Sequence, residues 1–151
     1  MFWSCFSSSG VGSFYECPGT VNTQMYLSIL ESHLLPQAAI WYQNSQDWTF
    51  MQDNAPCHKS KTTMRWFQEK GLKVMDWPPN SPDLNPIENM WGVLKQKLQS
   101  LGNVSKTELT RNARKIWSED ESIKALCNTL TESMPKRVMD VIKNHGGAIT
   151  Y

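Results

Sequence analysis

Apolar residues recur at two different periods along this chain, and the switches between them lay out an α/β plan. Met1-Phe-Trp-Ser-Cys-Phe6 and Val11-Gly-Ser-Phe-Tyr15 flank a Ser-Ser-Ser-Gly turn, the signal of a hairpin. Tyr26, Leu27, Leu30 and Leu34 then fall at helical spacing behind a cap at Asn22 or Thr23, which predicts a helix to about Leu35, stopped by Pro36. Residues 38–46 read as a connection. Trp48-Thr-Phe-Met-Gln52 predicts a strand with Asp53 at its C-terminal end, and a helix from about Ser60 to Lys70 is closed by Gly71.

A short strand is expected over Leu72–Trp77, followed by a loop that Pro78, Pro79 and Pro82 hold extended. Asn85 caps the next helix with Pro86 at its first position, where a missing N–H costs nothing. Ile87, Trp91, Leu94 and Leu98 share one face of that helix. Beyond Gly102 the pattern is wholly helical: Ser105-x-x-Glu108 and Ser118-x-x-Glu121 read as capping boxes, and a last helix is expected from about Pro135 to Asn144. The expected organisation is one α/β body over residues 1–101 with a helical extension, 102–151.

Composition narrows the class. The 151 residues are 40% hydrophobic and 19% charged, enough for one core, and no stretch approaches the roughly 20 apolar residues of a membrane span. Residues 1–15 lack the basic start and long apolar run of a signal peptide, so an intracellular protein without membrane contact is expected. Cys5, Cys17, Cys57 and Cys127 have no zinc-like spacing and read as reduced packing residues. The net charge of +1 hides an asymmetry, with five Lys/Arg against eight Asp/Glu in residues 1–88 and ten against six in 89–151. A basic second half is compatible with a phosphate-backbone partner and equally with solvated helix faces.

Asp53 and Glu88 are the candidate chemical groups. Each sits at an element boundary in the predicted plan, where carboxylates from neighbouring elements can converge on a Mg²⁺ ion, which prefers such oxygens and keeps several waters. The structural alternatives are a turn in which Asp53 bonds its own backbone and a capping role for Glu88 three residues after Asn85. His58 has no second histidine nearby and is read as a loop hydrogen-bonding group or as support for a ligand. Asp83 is expected to fix its loop, and Trp66, Trp77, Trp91 and Trp117 to belong to the core.

Two local sequences carry a further reading. Gln52-Asp53-Asn54-Ala55-Pro56-Cys57-His58 and Trp77-Pro78-x-x-Ser81-Pro82-Asp83-Leu84-Asn85-Pro86-Ile87-Glu88-Asn89-x-Trp91 closely resemble the second and third catalytic segments of Tc/mariner transposases, in the Tc-like branch, and the 34 residues between Asp53 and Glu88 match that branch. The resemblance runs from Trp3-Ser-Cys-Phe6 to the terminal Tyr151. It implies a ribonuclease-H-like mixed sheet holding an Asp-Asp-Glu triad, with two Mg²⁺ or Mn²⁺ ions. It also implies cleavage of DNA at transposon ends and strand transfer into a TA target, in the nucleus, with a second copy or a full-length transposase as possible partner.

On that alignment Asp53 is the second Asp and Glu88 the Glu, both metal ligands. The first Asp belongs to a central strand that would precede Trp3. Asp47 cannot stand in for it, because six strand residues put it roughly 20 Å from Asp53 along the backbone. Glu16 and Glu31 lie on elements of their own. Two inner sheet edges are therefore expected to lack their partner strand, and residues 1–151 by themselves to lack activity. On the same resemblance the family's N-terminal helix-turn-helix modules are expected to be missing from these residues as well. A non-enzymatic DNA-binding or transposase-interacting remnant is the alternative.

Overall fold

The structure, a computed structural model, describes all residues except Asn44, Gln46, Asn80, Thr150 and Tyr151. The expectations that fall on those five, the end of the 38–46 connection and the terminal Tyr151, lie outside the described residues. The chain opens with a hairpin of β1 (Phe2–Ser7) and β2 (Gly10–Glu16), its turn reversed at Gly10 with φ +128°. It divides into two compact units, Met1–Trp3 with Cys17–Asn80, and Ser4–Glu16 with Ser81–Tyr151.

In the first unit Asn22 accepts the Met25 amide and opens α1 (Thr23–Ile29). The helix does not stop before Pro36. It continues through a π-helical turn, Leu30–Leu34, into α2 (Leu35–Tyr42), so part of the expected connection is helical. A proline ring collides with the carbonyl four residues back and offers no N–H. The wider turn just before it, closed by the Leu35 N–H on the Leu30 carbonyl, makes room for the ring. Buried Leu34 and Ala38 hold the chain on either side.

The parallel pair of this unit is short. β3 (Thr49–Phe50) pairs with β4 (Lys73–Val74), Thr49 opposite Lys73 and Phe50 opposite Val74, and the Met75 N–H adds a bond to the Phe50 carbonyl at 2.8 Å. Both strands are shorter than expected, and Asp53 lies in the loop three residues past β3, not at a strand end. Its own side chain starts that loop, taking the Ala55 N–H at 3.0 Å in an Asx turn. α3 (Lys61–Glu69) begins at Ser60, whose hydroxyl accepts the Thr63 amide. It ends in a Schellman pair, Leu72 N–H to Phe67 O and Gly71 N–H to Gln68 O, with Gly71 at φ +65°.

In the second unit a single 3₁₀ turn (Pro82–Leu84) leads to Asn85, whose Oδ1 accepts the Ile87 amide, and to α4 (Pro86–Gln99) with Pro86 at its start. Pro86, Met90 and Leu94 are its buried residues, while Ile87, Trp91 and Leu98 are half-buried, so the inner face is turned by one position from the expected stripe. α5 (Lys106–Glu119) starts with the expected capping box: Ser105 Oγ accepts the Glu108 amide and Glu108 accepts the Ser105 amide.

The second expected box fails, because α5 runs through it. Ser118 bonds back to the Arg114 carbonyl, and Asp120 is the cap of α6 (Glu121–Lys143), accepting the Ser122 and Ile123 amides. Nor does a separate helix start at Pro135, which lies inside the 23 residues of α6. A buried stripe of Ile123, Cys127, Leu130, Ser133 and Arg137 flanks the proline on its N- and C-terminal sides. Packing of that length outweighs the roughly 3 kcal/mol that an interior proline costs. The unit's aromatic centre joins Phe14 of β2 to Trp91 and Trp117, whose rings stack at 5.2 Å, and the Trp117 indole donates to the Gly12 carbonyl at 3.0 Å. All four cysteines are free thiols; burial pushes Cys5 up to about 12 and Cys127 up to about 11.

Candidate active site

Asp53 belongs to the first unit and Glu88 to the second, so each is built up from its own surroundings. Asp53 is half-exposed and its two carboxylate oxygens have different fates. Oδ1 takes the Ala55 N–H at 3.0 Å and faces His58 Nδ1 at 2.6 Å. An ionised carboxylate only accepts, so the imidazole proton of this contact resides on Nδ1. Oδ2 has neither of these partners.

His58 is itself seated from below. Its ring lies 4.2 Å from that of Tyr26, tilted by 35°. The Tyr26 hydroxyl donates to Gln52 Oε1, and Gln52 Nε2 donates back to the His58 carbonyl at 3.4 Å. Tyr26 is almost wholly buried, which keeps its hydroxyl well above the usual phenol range, with the nearby Cys57 and Asp53 adding to the shift; it stays a neutral donor. Of the two roles left open for His58, the structure gives it a direct bond to Asp53. Next in sequence, Asn54 Nδ2 donates to the Trp77 carbonyl at 2.8 Å, while its buried Oδ1 has no hydrogen-bond partner among the described residues.

Glu88 is exposed in the first turn of α4, where the dipole favours a negative charge. What fixes its turn are the residues on either side. Arg137, fully buried on α6, donates to the Asp83 carbonyl at 3.0 Å and to Asn89 Oδ1 at 2.9 Å, with its Nε on Ser133 Oγ at 2.9 Å. Asp83 Oδ2 accepts the Ile149 amide at 2.7 Å, so this acid fixes its loop as expected. The guanidinium thus ties together the residues before and after Glu88.

Sequence reading missed three members of this arrangement. Tyr26 was one apolar position among several and Gln52 a strand residue. Arg137 was a charge in a basic tail, although its place on the stripe Ile123, Cys127, Leu130 was a legible sign of burial.

The donor chemistry fits a hard divalent cation. Asp53 in the first unit and Glu88 in the second are each exposed carboxylates, the ligand type such a cation prefers, and the buried Asn54 Oδ1 next to Asp53 has no hydrogen-bond partner among the described residues. Among the described residues no group of three or more His, Cys, Asp or Glu stands ready to hold a metal.

A family model described as DDE superfamily endonuclease matches residues 4–110. The chain belongs to this family. Its relatives are transposases of the Tc/mariner group: the Tcb1 transposase of Caenorhabditis briggsae is 33% identical over 151 residues, all of this chain and 54% of the relative. The Tc1 transposase of Caenorhabditis elegans is 32% identical, again over all of this chain and 54% of its own length. The chain therefore spans about half the length of these relatives. In fold it is similar to the catalytic domain of the Mos1 mariner transposase, with a TM-score of 0.78 at 16% identity over 99% of this chain and 82% of that one. The fold is accordingly ribonuclease-H-like, as the motifs implied.

Proposed function

We propose that these residues supply the second and third acids of a metal-dependent DNA cleavage and strand-transfer site of Tc-like type, with Asp53 and Glu88 as ligands. The observation that carries the reading is the asymmetry at Asp53, a half-exposed side chain in a loop of the family's own sequence, where the Ala55 and His58 contacts both fall on Oδ1 and neither on Oδ2. Mg²⁺ or Mn²⁺ bound there would activate an attacking oxygen and stabilise the leaving one. The chain's part is to hold the carboxylates: the Asx turn and His58 fix Asp53, and Arg137 with Asn85 fixes the turn that bears Glu88.

Mos1 structures that include Mg, Mn or a transposon end support the metals and DNA as partners. A nuclear site of action and pairing with another transposase copy belong to the same reading. On this reading the family's first Asp lies outside these 151 residues, and cleavage would take that third carboxylate from there. The decisive assay is nicking of transposon-end DNA in Mg²⁺ or Mn²⁺. We expect residues 1–151 alone to be inactive, and a version preceded by an Asp-bearing strand to nick in a manner abolished by Asp53→Asn or Glu88→Gln. Robust Asp53-dependent nicking by residues 1–151 alone would refute the need for a third acid.

A further inference from the structure

We propose that His58 is a positioning residue: seated by Tyr26 and Gln52, it donates its Nδ1–H to Oδ1 of Asp53 so that Oδ2 alone is presented to a divalent cation. The inference rests on the reading of Asp53 as a metal ligand and deepens it. A carboxylate free to rotate offers a cation either oxygen or both. Two donors on one oxygen, the Ala55 N–H and the imidazole, remove that freedom and select one-oxygen ligation.

The imidazole can do this only if its own ring cannot turn. The Tyr26 ring packs against it at 4.2 Å, while the Gln52 amide on the His58 carbonyl and the Ala55 carbonyl that accepts the His58 N–H at 2.8 Å fix the main chain that carries it. Gln52 is itself buried and held by the Tyr26 hydroxyl, so the support runs from α1 through Gln52 to His58 and ends on the carboxylate. The side chain is mostly covered, at 19% exposed, whereas Asp53 is 52% exposed.

The test separates the two nitrogens. Asparagine carries an amide N–H near the place of Nδ1, while glutamine carries one near the place of Nε2. Mn²⁺ is titrated into the ¹⁵N-labelled chain at neutral pH, and paramagnetic broadening of the Asp53, Asn54 and Ala55 amides is followed. We expect the Mn²⁺ concentration for half-broadening to rise about tenfold or more in His58→Gln and His58→Phe, and to stay near the parent value in His58→Asn. Parent-like binding in His58→Gln, or binding in His58→Asn as weak as in the Gln variant, overturns the proposal. Asp53→Asn separates the two layers of inference. If it leaves the broadening unchanged, the ligand reading of Asp53 fails. If it abolishes broadening while every His58 variant binds like the parent, only the role of His58 fails. Unchanged amide shifts elsewhere in the His58→Asn and His58→Gln pair show that both variants are folded.

Discussion

The two candidate acids are held by opposite strategies. Around Asp53 the contacts are made over shorter stretches of chain: Ala55 and His58 lie within five residues, and the furthest support, Tyr26 on Gln52 and His58, spans 26 and 32. Around Glu88 the decisive bonds come from far away, Arg137 reaching across 54 and 48 residues and Ile149 across 66. The first unit has a parallel ladder of only two residue pairs, whereas the second interlocks three helices on a buried aromatic centre. A loop that carries its own supports can be tuned residue by residue. A helix start held from a distant helix is set by the integrity of the whole unit.

Removing Trp117 tests the second strategy most severely. This side chain is fully buried against Phe14 and Trp91 and donates to Gly12, so Trp117→Ala is expected to cost about 3–5 kcal/mol. Urea denaturation followed by circular dichroism reads the shift in midpoint; a loss below about 1 kcal/mol would mean that the aromatic centre does not hold the unit. Arg137→Met comes next, at about 2–3 kcal/mol, because it leaves the Asp83 carbonyl and Asn89 Oδ1 without the guanidinium. Hydrogen exchange should then speed up at the start of α4, around residues 87–90. Exchange rising only near residue 137 would show that Glu88 does not depend on the distant tie.

The first unit should respond less. Tyr26→Phe keeps the ring against His58 and deletes only the hydroxyl bond to Gln52, for an expected cost of about 1 kcal/mol. Faster exchange should be confined to the 52–58 loop and α1. A cost as large as that of Arg137→Met would erase the contrast between the units.

The same contrast explains what could be read in the sequence. Devices that close within a few residues were legible: Asn22 as one of two candidate caps, the caps at Asn85 and Ser105, a helix start near Ser60, Gly71 as a helix end, Pro86 as a helix start. Local signals misled where distant packing overruled them. Pro36 and Pro135 both read as boundaries, and in both cases the helix continues because buried side chains flank the proline. Ser118-x-x-Glu121 had the right spacing for a box, yet Asp120, one residue before the helix, took the cap. Of the site, the acids and their motifs were visible, but not the Tyr26–Gln52–His58 support or Arg137, since nothing in the local pattern shows which distant side chain a loop will meet.

Asp120 gives the finest test, because one substitution separates its two roles. The side chain caps α6 and pairs with Lys97 at 2.8 Å, and that pair, followed by the Ser122 hydroxyl, holds its carboxyl well below the usual carboxylate range. Asparagine caps a helix about as well, so Asp120→Asn removes mainly the ion pair. Both partners are partly exposed, at 33% and 26%, so solvent screens them and the loss is expected to be about 0.5–1 kcal/mol at neutral pH. The pH dependence has a definite sign. A carboxyl whose folded value is lowered stabilises fully above its unfolded value of about 3.9, and this contribution disappears as the pH falls toward the folded value. The gap between parent and variant in urea midpoint should therefore be constant from pH 7 to about 5 and shrink below about 4. A gap that widened on acidification would mean that the charge on Asp120 opposes the fold, leaving the cap as its sole contribution to the unit that carries Glu88.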